Sequence, residues 1–406
     1  MVVFAIDKPC AIVTDVRYRM SVPVIRCLGR RGIKVIAAER ESTKPCAALG
    51  FYSKYTAGNL LYPAPDSDAR GFFDALRRYA SGCETPPVII PVGMDSVLAI
   101  SENREEVSKW ARVAVSDIKS ITLANDKSAL LELARGLGVP CPETTRLMQG
   151  EDIPNLAGRI KYPAVIKLIS GELLGLSPQD RYRIVYDSRE FISSYTKMHE
   201  VSEYPLVQEY IQGDGYGVSA VFDENHNPVS VFCHRRIREY PVSGGPSSFC
   251  VSVWNDELVK YAITILRALE WTGVAMVEFK GSPETGFKLM EINPRFWGST
   301  ALSVAAGCDI PFSLYRAALG DKAGVEIKQE YRLNKKVRFI LQDLLSFSGY
   351  LRIKSNKAGF AAGFVRDLLN PRVSDGVLSL ADFKVSYMYL KSALGKRDRI
   401  KDRGLL

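Results

Sequence analysis

Residues 274–299, VAMVEFKGSPETGFKLMEINPRFWGS, contain two acidic side chains on two apolar segments that are typical of β-strands. Glu278 lies in the first segment, Glu291 lies in the second, and the turn-forming SPETG separates them. A hairpin of this kind places both carboxylates on one face, and the strand period of two adds Asn293 and Arg295 to that face. Carboxylate and amide oxygens are the ligands that Mg²⁺ prefers, and an arginine binds developing negative charge. The pattern alone also fits a cluster of surface ion pairs, so both interpretations stay open.

Several stretches of the chain resemble segments of ATP-grasp enzymes, and they occur in the order that the family has. EINPR after a strand, with VEF in the strand before it, resembles the metal-binding end of these enzymes. NDKSALLELARGLGVPCPET (125–144) resembles the segment that opens the fold, and YPAVIKLIS (162–170) resembles the strand with a phosphate-binding lysine. LVQEYIQGDGYG (206–217) resembles the linker that holds the adenine between two small lobes. The resemblance covers roughly residues 10–315 and is best to carbamoyl-phosphate-synthetase-like proteins, usually described as carboxylate–amine ligases.

The resemblance implies a role for individual residues of the site. Lys127 and Lys167 would contact the ATP phosphates, and Arg295 together with Lys167 would be catalytic. One or two Mg²⁺ ions, or Mn²⁺ in their place, would be held by Glu278, Glu291 and Asn293. The adenine would lie against the linker residues Gln208, Glu209, Tyr210 and Ile211. Asp214 would hold the ribose, because Tyr216 stands where the family often has a glutamate.

A second basic stretch, CHRRIREYPVSGGPSS (233–248), falls where the family places the γ-phosphate and the acyl group. We expect its arginines to bind a substrate carboxylate and the main-chain N–H groups of its turn to bind an anion. These residues are Arg235, Arg236, Arg238, Ser243, Gly244, Gly245 and Ser247. The alternative is a charged strand face followed by an ordinary loop. For His234 we expect a structural role. The stretch SGELLGLS (170–177) has fewer glycines than the phosphate-covering loop of the family.

The order of the segments predicts an α/β protein. Before residue 118, apolar strands alternate with helices, which indicates a Rossmann-like parallel sheet without a dinucleotide or Walker fingerprint. With the resemblance, we expect three parts: a pre-ATP-grasp domain (1–118), a two-lobed α+β ATP-grasp domain (119–325) and a basic, mainly helical C-terminal region (326–406). The small lobe would span about 125–212 and the large lobe about 213–325.

The composition, 47% hydrophobic and 24% charged residues, is that of a globular protein. The eight cysteines include no CxxC pair, which favours free thiols in a reducing compartment. Neither a signal peptide nor an apolar membrane span is evident, so we expect a cytoplasmic protein. The net charge of +9 fits an anionic substrate or a membrane surface. The sequence lacks the interleaved aromatic and basic residues that nucleic-acid binding would favour.

These observations predict an ATP-dependent ligase that activates a carboxylate as an acyl phosphate, transfers it to an amine and releases ADP and phosphate. A thiol, a hydroxyl or ammonia stays open as the acceptor. The alternative is an ATP-binding module with reduced turnover that acts through its basic C-terminal region on a membrane surface or a polyanion. Small-molecule carboxylate and amine substrates are the expected partners. Peripheral membrane contact and a homodimer are kept open.

Overall fold

The computed structural model describes residues 8–147, 150–168, 176, 181–242, 244–321 and 327–402. The first part of the chain alternates strands and helices, and all strand pairs of its sheet are parallel. The strand order is β3-β2-β1-β4, so β1 is central. The elements are β1 (Ala11–Val13), α1 (Ser21–Gly29), β2 (Val35–Arg40), β3 (Thr56–Tyr62), α2 (Ala69–Ala80), β4 (Val88–Ile90), α3 (Met94–Glu102) and α4 (Arg104–Val107).

A small antiparallel sheet with two covering helices follows. Its strand order is β5-β8-β6-β7, and its buried apolar residues form a core of their own. The helix that leads into it begins at Lys127, where the side chain of Asp126 accepts hydrogen bonds from the N–H groups of Ser128 and Ala129 and caps the helix. The elements are α5 (Ile118–Asn125), α6 (Lys127–Gly136), β5 (Thr144–Thr145), α7 (Ile153–Arg159), β6 (Ala164–Lys167), β7 (Tyr182–Val185), α8 (Ser188–Val201) and β8 (Leu206–Glu209).

The third sheet is the largest of the described chain and has seven strands in the order β13-β12-β9-β10-β11-β14-β15. Neighbouring strands are antiparallel, except for the parallel pair β14 and β15. The elements are β9 (Asp214–Phe222), β10 (Pro228–Glu239), β11 (Ser247–Val253), α9 (Asp256–Ala268), β12 (Gly273–Ser282), β13 (Gly286–Asn293), α10 (Thr300–Ala306), α11 (Ile310–Ala318) and β14 (Lys336–Arg338).

The C-terminal stretch contains three helices and adds two short strands, β14 and β15, to the large sheet. Because β14 pairs with β11, this stretch continues the sheet of the predicted large lobe. The start of its last helix also reaches the N-terminal part, where Asp382 accepts hydrogen bonds from Arg26 at 2.8 Å and from Ser53 at 2.9 Å. The elements are α12 (Ile340–Ile353), α13 (Lys357–Leu369), β15 (Ser374–Asp375) and α14 (Phe383–Asp402).

Two large apolar cores unite the N-terminal sheet with the large sheet. One contains Ile12 of β1 and Val277 of β12, and the other contains Val13 of β1, Phe232 of β10 and Val385 of α14. The N-terminal sheet therefore packs directly against the sheet with the acidic hairpin. Within the residues described, no helix combines the length and the apolar character needed to cross a bilayer.

Candidate active site

Strands β12 and β13 form the hairpin that the sequence predicts, and its two glutamates are direct cross-strand partners. Glu278 pairs with Glu291, and Met276 pairs with Asn293. The side-chain amide of Asn293 donates to Glu278 Oε1 at 3.1 Å. Burial alternates from Glu291 to Arg295, with every second residue partly exposed, so Glu291, Asn293 and Arg295 share one face as expected.

Cationic side chains surround the two carboxylates. Arg236 Nη2 lies 2.5 Å from Glu278 Oε2, and Lys127 Nζ lies 4.0 Å from Glu291 Oε2. Burial raises the pKa of Glu278, although Arg236 opposes the rise. Burial would also raise the pKa of Glu291, but nearby cations, with Lys127 and Lys167 foremost, lower it below its usual value. Glu291 is therefore the carboxylate held more firmly in its ionised form.

Lys167 is the last residue of β6 and reaches the same cluster from the small sheet. Its backbone pairs with Tyr182 of β7 on one side and with Leu206 of β8 on the other. Burial, and then the charge of Lys127, lowers the pKa of Lys167 to about 8. An anionic partner stabilises a buried ammonium group with a lowered pKa more than it stabilises an exposed one. Lys167 is therefore suited to contact a phosphate.

The predicted adenine linker joins β8 of the small sheet to β9 of the large sheet. Gln208 is buried and donates to Thr144 Oγ1 at 3.1 Å, while its Oε1 has no hydrogen-bond partner in the described chain. Glu209 Oε2 lies 2.5 Å from the ammonium of Lys288, a residue of β13, and this ion pair joins the two sheets. The ring of Tyr210 lies 5.1 Å from Lys280 Nζ, and Ile211 is buried. A buried acceptor without a partner fits a ligand with an amino group at this place.

Asp214, expected to hold the ribose, and Arg235, expected to bind substrate, form an ion pair with each other. Arg235 Nη1 lies 2.6 Å from Asp214 Oδ2, and both side chains are exposed. A ligand would compete with this pair, and exposed pairs of this kind contribute little to stability. Both roles stay predictions.

Arg238 does not line the site, contrary to the expectation from the sequence. Its side chain is only 6% exposed and donates to Asp343 of α12 at 2.8 and 2.9 Å and to Asp367 of α13 at 2.9 Å. Its guanidinium also lies over the ring of Phe249. A register shift after Arg236 separates these two arginines on β10. Arg236 therefore faces the acidic hairpin, and Arg238 holds the C-terminal helices against the sheet.

The turn after β10, which the sequence predicts to bind an anion, uses part of its backbone for hydrogen bonds inside the fold. The N–H of Gly244 donates to Pro241 O at 3.3 Å, and Gly245 O accepts from Arg236 at 3.3 Å. Ser247 is buried at the start of β11, and its carbonyl accepts from Arg19 at 3.3 Å. Ser243 lies outside the described residues, as does most of 170–177. Ser247 thus belongs to the contact with the N-terminal sheet.

Two charged residues beside the hairpin were missed by the sequence analysis. Lys280 and Glu239 have pKa values that burial shifts, lowering that of Lys280 and raising that of Glu239, and each interacts with the other and with Arg236. Lys280 follows Glu278 by two strand positions, so the strand period could have identified it. Glu239 is the last residue of β10, and no pattern in the sequence distinguishes it from a solvent-exposed residue of a turn.

His234 is a packed residue of β10, as expected. It is 1% exposed, and its Nε2 lies 3.0 Å from Ser299 Oγ. Burial, and then the charge of Arg236, lowers its pKa to about 3, so the imidazole is neutral near pH 7. A neutral ring held by Ser299 contributes packing beside the hairpin.

The oxygen atoms of the hairpin fit a hard divalent cation. Among the residues described, no three His, Cys, Asp or Glu side chains lie close enough to hold a metal by themselves. The available set is two opposed carboxylates and one amide oxygen, Glu278, Glu291 and Asn293. Mg²⁺ is commonly bound by one or two carboxylates together with substrate phosphates, and this set leaves room for that mode.

Sequence comparison shows which known proteins this chain is similar to. Residues 202–339 match the family described as "ATP-grasp in the biosynthetic pathway with Ter operon". The carbamoyl phosphate synthase large chain of Thermomicrobium roseum is 28% identical over 253 residues, covering 59% of this chain and 22% of that protein. The chain thus spans less than a quarter of the length of the curated relatives it matches.

Solved structures show the same fold. The biotin carboxylase domain of the 2-oxoglutarate carboxylase from Hydrogenobacter thermophilus, in complex with MgADP, ADP and bicarbonate, aligns with a TM-score of 0.60 and 16% identity, over 80% of this chain and 73% of that one. The L-amino acid ligase from Bacillus licheniformis aligns with a TM-score of 0.55 and 13% identity, over 77% and 74% of the two chains.

The two sheets, the linker between them and the acidic hairpin form a mixed α/β protein with the ATP-grasp fold. The chain is similar to ATP-grasp proteins in sequence over residues 202–339 and shares their fold, in agreement with the resemblance in the sequence. It is similar to the Ter-operon group over the large sheet and to carbamoyl phosphate synthases over a longer stretch.

Proposed function

We propose that this protein is an ATP-dependent carboxylate–amine ligase. The observation that carries the proposal is the direct pairing of Glu278 with Glu291 beside basic side chains from different parts of the fold. These are Arg236 of the large sheet, Lys127 of α6 and Lys167 of the small sheet. A site with two carboxylates and several excess cations suits a metal ion together with a polyphosphate.

In the proposed complex, the nucleotide lies between the small and large sheets. The linker 208–211 binds the adenine, and Gln208 Oε1 offers the unpaired buried acceptor. Lys127 and Lys167 contact the phosphates, and Glu278, Glu291 and Asn293 hold Mg²⁺. When bound, the metal would neutralise phosphate charge and align the transferred group. Lys280 is close enough to the linker to contact the nucleotide as well.

The proposed reaction has two steps. A carboxylate oxygen of the first substrate attacks the γ-phosphorus, the bond to the β-phosphate oxygen breaks, and ADP and an acyl phosphate form. The amine nitrogen of the second substrate then attacks the acyl carbon, phosphate leaves, and the amine loses a proton. Arg236 and Arg295 stabilise the negative charge that develops in both steps. Exclusion of water prevents hydrolysis of the acyl phosphate.

The names of the similar proteins inform the proposed substrates. One neighbour is an L-amino acid ligase, and another is a biotin carboxylase domain with bound bicarbonate. These names support a small carboxylate or bicarbonate as the group that is activated. An amine is proposed as the acceptor, and ammonia, a thiol or a hydroxyl would use the same first step.

The N-terminal domain, about residues 1–118, is proposed to complete the substrate site. Arg19, which follows β1, donates a hydrogen bond to Ser247 O. Its guanidinium also lies so close to Gly298 that any side chain at this position would contact it. The N-terminal domain therefore borders the segment after the hairpin. A cytoplasmic location and a homodimer stay predictions from the sequence.

The decisive experiment is a nucleotide assay with MgATP and pooled amino acids and small carboxylates. We expect ADP and phosphate to form only when the pool is present, and we expect removal of Mg²⁺ with EDTA to abolish the reaction. The Glu291→Gln variant should lose at least about a hundredfold in turnover, because one ionised metal ligand is replaced by a neutral amide.

Glu132→Gln provides the matched control. Glu132 is exposed on α6, and within the described chain its side chain forms no hydrogen bond or ion pair with the hairpin, so this variant should keep the activity of the unaltered protein. Formation of AMP and pyrophosphate would contradict the acyl-phosphate mechanism and indicate adenylation. Full activity of Glu291→Gln would show that the hairpin is not the metal site.

A further inference from the structure

The C-terminal helices expose an unusual share of apolar side chains. Of the eighteen large apolar side chains that are exposed in the described chain, nine lie between residues 344 and 390. Leu380 is 95% exposed, Leu369 is 75% exposed and Phe383 is 64% exposed. Exposed apolar groups concentrated in one region usually mark an interaction surface. The nine are Leu344, Leu345, Ile353, Val365, Leu369, Leu380, Phe383, Tyr387 and Leu390.

In the same region the basic side chains are exposed and the acidic side chains are not. All seven basic residues between positions 340 and 393 are exposed, and none forms an ion pair within the described chain. They are Arg352, Lys354, Lys357, Arg366, Arg372, Lys384 and Lys391.

None of the four acidic residues in this range is exposed, because each has partners inside the fold. Asp343 and Asp367 bind Arg238, and Asp382 binds Arg26. Asp375 accepts hydrogen bonds from the N–H groups of Ile340 and Val377. All of the exposed charged residues between positions 340 and 393 are therefore basic, although the sequence of this range contains both signs.

Helix α14 shows how the apolar and basic residues are arranged. Phe383, Tyr387 and Leu390 follow one another at spacings of four and three residues, so they form one exposed apolar stripe. Lys384 and Lys391 are seven residues apart and lie beside that stripe. The helix thus presents an apolar row with basic residues along its edge.

We propose that the exposed surface of residues 344–391, which we call the basic apolar face and of which the stripe on α14 is the best defined part, binds the surface of an anionic lipid bilayer. Protruding leucine and phenylalanine side chains enter the boundary between headgroups and acyl chains, while the lysines and arginines attract anionic headgroups. The attachment is peripheral. Leu380, at 95% exposure, is the most exposed large apolar side chain of the described residues. A bilayer accommodates such a protruding group without a matching pocket, whereas an acidic protein partner would have to provide one.

The test is sedimentation of the full-length protein with sucrose-loaded vesicles. One set contains phosphatidylcholine alone, and the other contains equal parts of phosphatidylcholine and phosphatidylglycerol. No nucleotide is added, so the result does not depend on the proposed ligase activity. We expect binding to the anionic vesicles only, with a marked decrease when salt is raised.

Two paired variants separate the apolar and the electrostatic contributions. Leu380→Ser with Phe383→Ser removes two protruding apolar groups, and Lys384→Glu with Lys391→Glu reverses two charges. Each pair should weaken binding by about tenfold or more. All four positions are exposed, so the variants should keep their thermal stability.

Matched controls lie outside the face. Leu61→Ser alters a side chain that is 51% exposed on β3, and Lys197→Glu reverses an exposed charge on α8; neither should change binding. The proposal is overturned if the protein binds neither vesicle, if it binds neutral vesicles equally well, or if both controls weaken binding as much as the paired variants. Failure to bind vesicles, combined with a dimer that Leu380→Ser with Phe383→Ser disperses, would assign the face to a second copy of the chain.

Discussion

The charge on Lys167 is a single-residue property with a measurable consequence for nucleotide affinity. Without a ligand, burial and the neighbouring Lys127 lower its pKa to about 8. A bound phosphate would stabilise the ammonium and raise this pKa, so above about pH 8 binding must take up a proton. We expect ATP affinity, measured in EDTA, to be nearly constant below that pH and to fall toward about tenfold per pH unit above it.

Titration calorimetry in buffers of different ionisation enthalpy would measure this proton uptake directly. Lys167→Arg keeps a positive charge over the whole range, so the pH dependence should vanish in that variant while binding persists. Lys119→Arg, at an exposed position on α5, is the matched control and should behave like the unaltered protein. An affinity that does not change between pH 7 and pH 9 in the unaltered protein would rule out this role for Lys167.

A contact of the site could be predicted from the sequence when its two residues lie close together along the chain. The pairing of Glu278 with Glu291 follows from a period of two and a short turn, and both are local. Arg238 could not be assigned, because its partner Asp343 lies 105 residues further along the chain. Only the tertiary structure shows that neighbouring arginines of one strand serve different purposes.

Strand β10 allows a comparison of a buried and an exposed ion pair on one element. Arg238 and its partner Asp343 are nearly inaccessible, whereas Arg235 and its partner Asp214 are exposed. Removing one partner of a buried pair leaves an uncompensated charge, which costs about 3–5 kcal/mol, whereas an exposed pair contributes about 1 kcal/mol or less. We therefore expect Arg238→Met to lower the free energy of unfolding by about 3 kcal/mol or more.

Arg235→Met is the matched control, since the same replacement is made on the same strand. Its free energy of unfolding should change by no more than about 1 kcal/mol. Denaturant unfolding followed by circular dichroism measures both variants. Equal destabilisation would mean that Arg238 does not anchor α12 and α13, and that the helices are held by apolar packing alone.

Among the elements, those with a strong apolar pattern were predicted and short or exposed ones were not. The apolar spacing of residues 69–80 predicts one helix, and α2 matches it. The spacing of residues 96–107 also predicts one helix, but the structure divides this stretch into α3 and α4 at Asn103. The sequence does not predict strand β3, because its first six residues alternate between partly and fully exposed at the edge of the sheet and only Tyr62 is buried. Strands β14 and β15 have three and two residues, which is too few to show an alternating apolar pattern.

At the scale of the whole molecule, the distribution of the cores predicts uneven stability. The core of the small sheet contains eleven described buried residues, all between 147 and 207, against thirty-nine in one of the cores that unite the N-terminal and large sheets. The polar links from the small sheet to the rest include the partly exposed pair Glu209–Lys288. A unit with a small, separate core opens more readily than units that share a large one.

We therefore expect amide hydrogens of β6 and β8 to exchange with solvent faster than those of β9 and β12, as measured by hydrogen–deuterium exchange and mass spectrometry. Because the proposed nucleotide site uses Lys167 of the small sheet and Glu291 of the large one, MgATP should slow exchange in the small sheet selectively. Glu291→Gln should reduce that protection, whereas Glu132→Gln should retain it. Equal exchange in both sheets without ligand would contradict the separate small core. If MgATP slowed exchange equally in all parts of the molecule, the nucleotide would stabilise the molecule as one unit. The small sheet would then not open independently to admit the nucleotide.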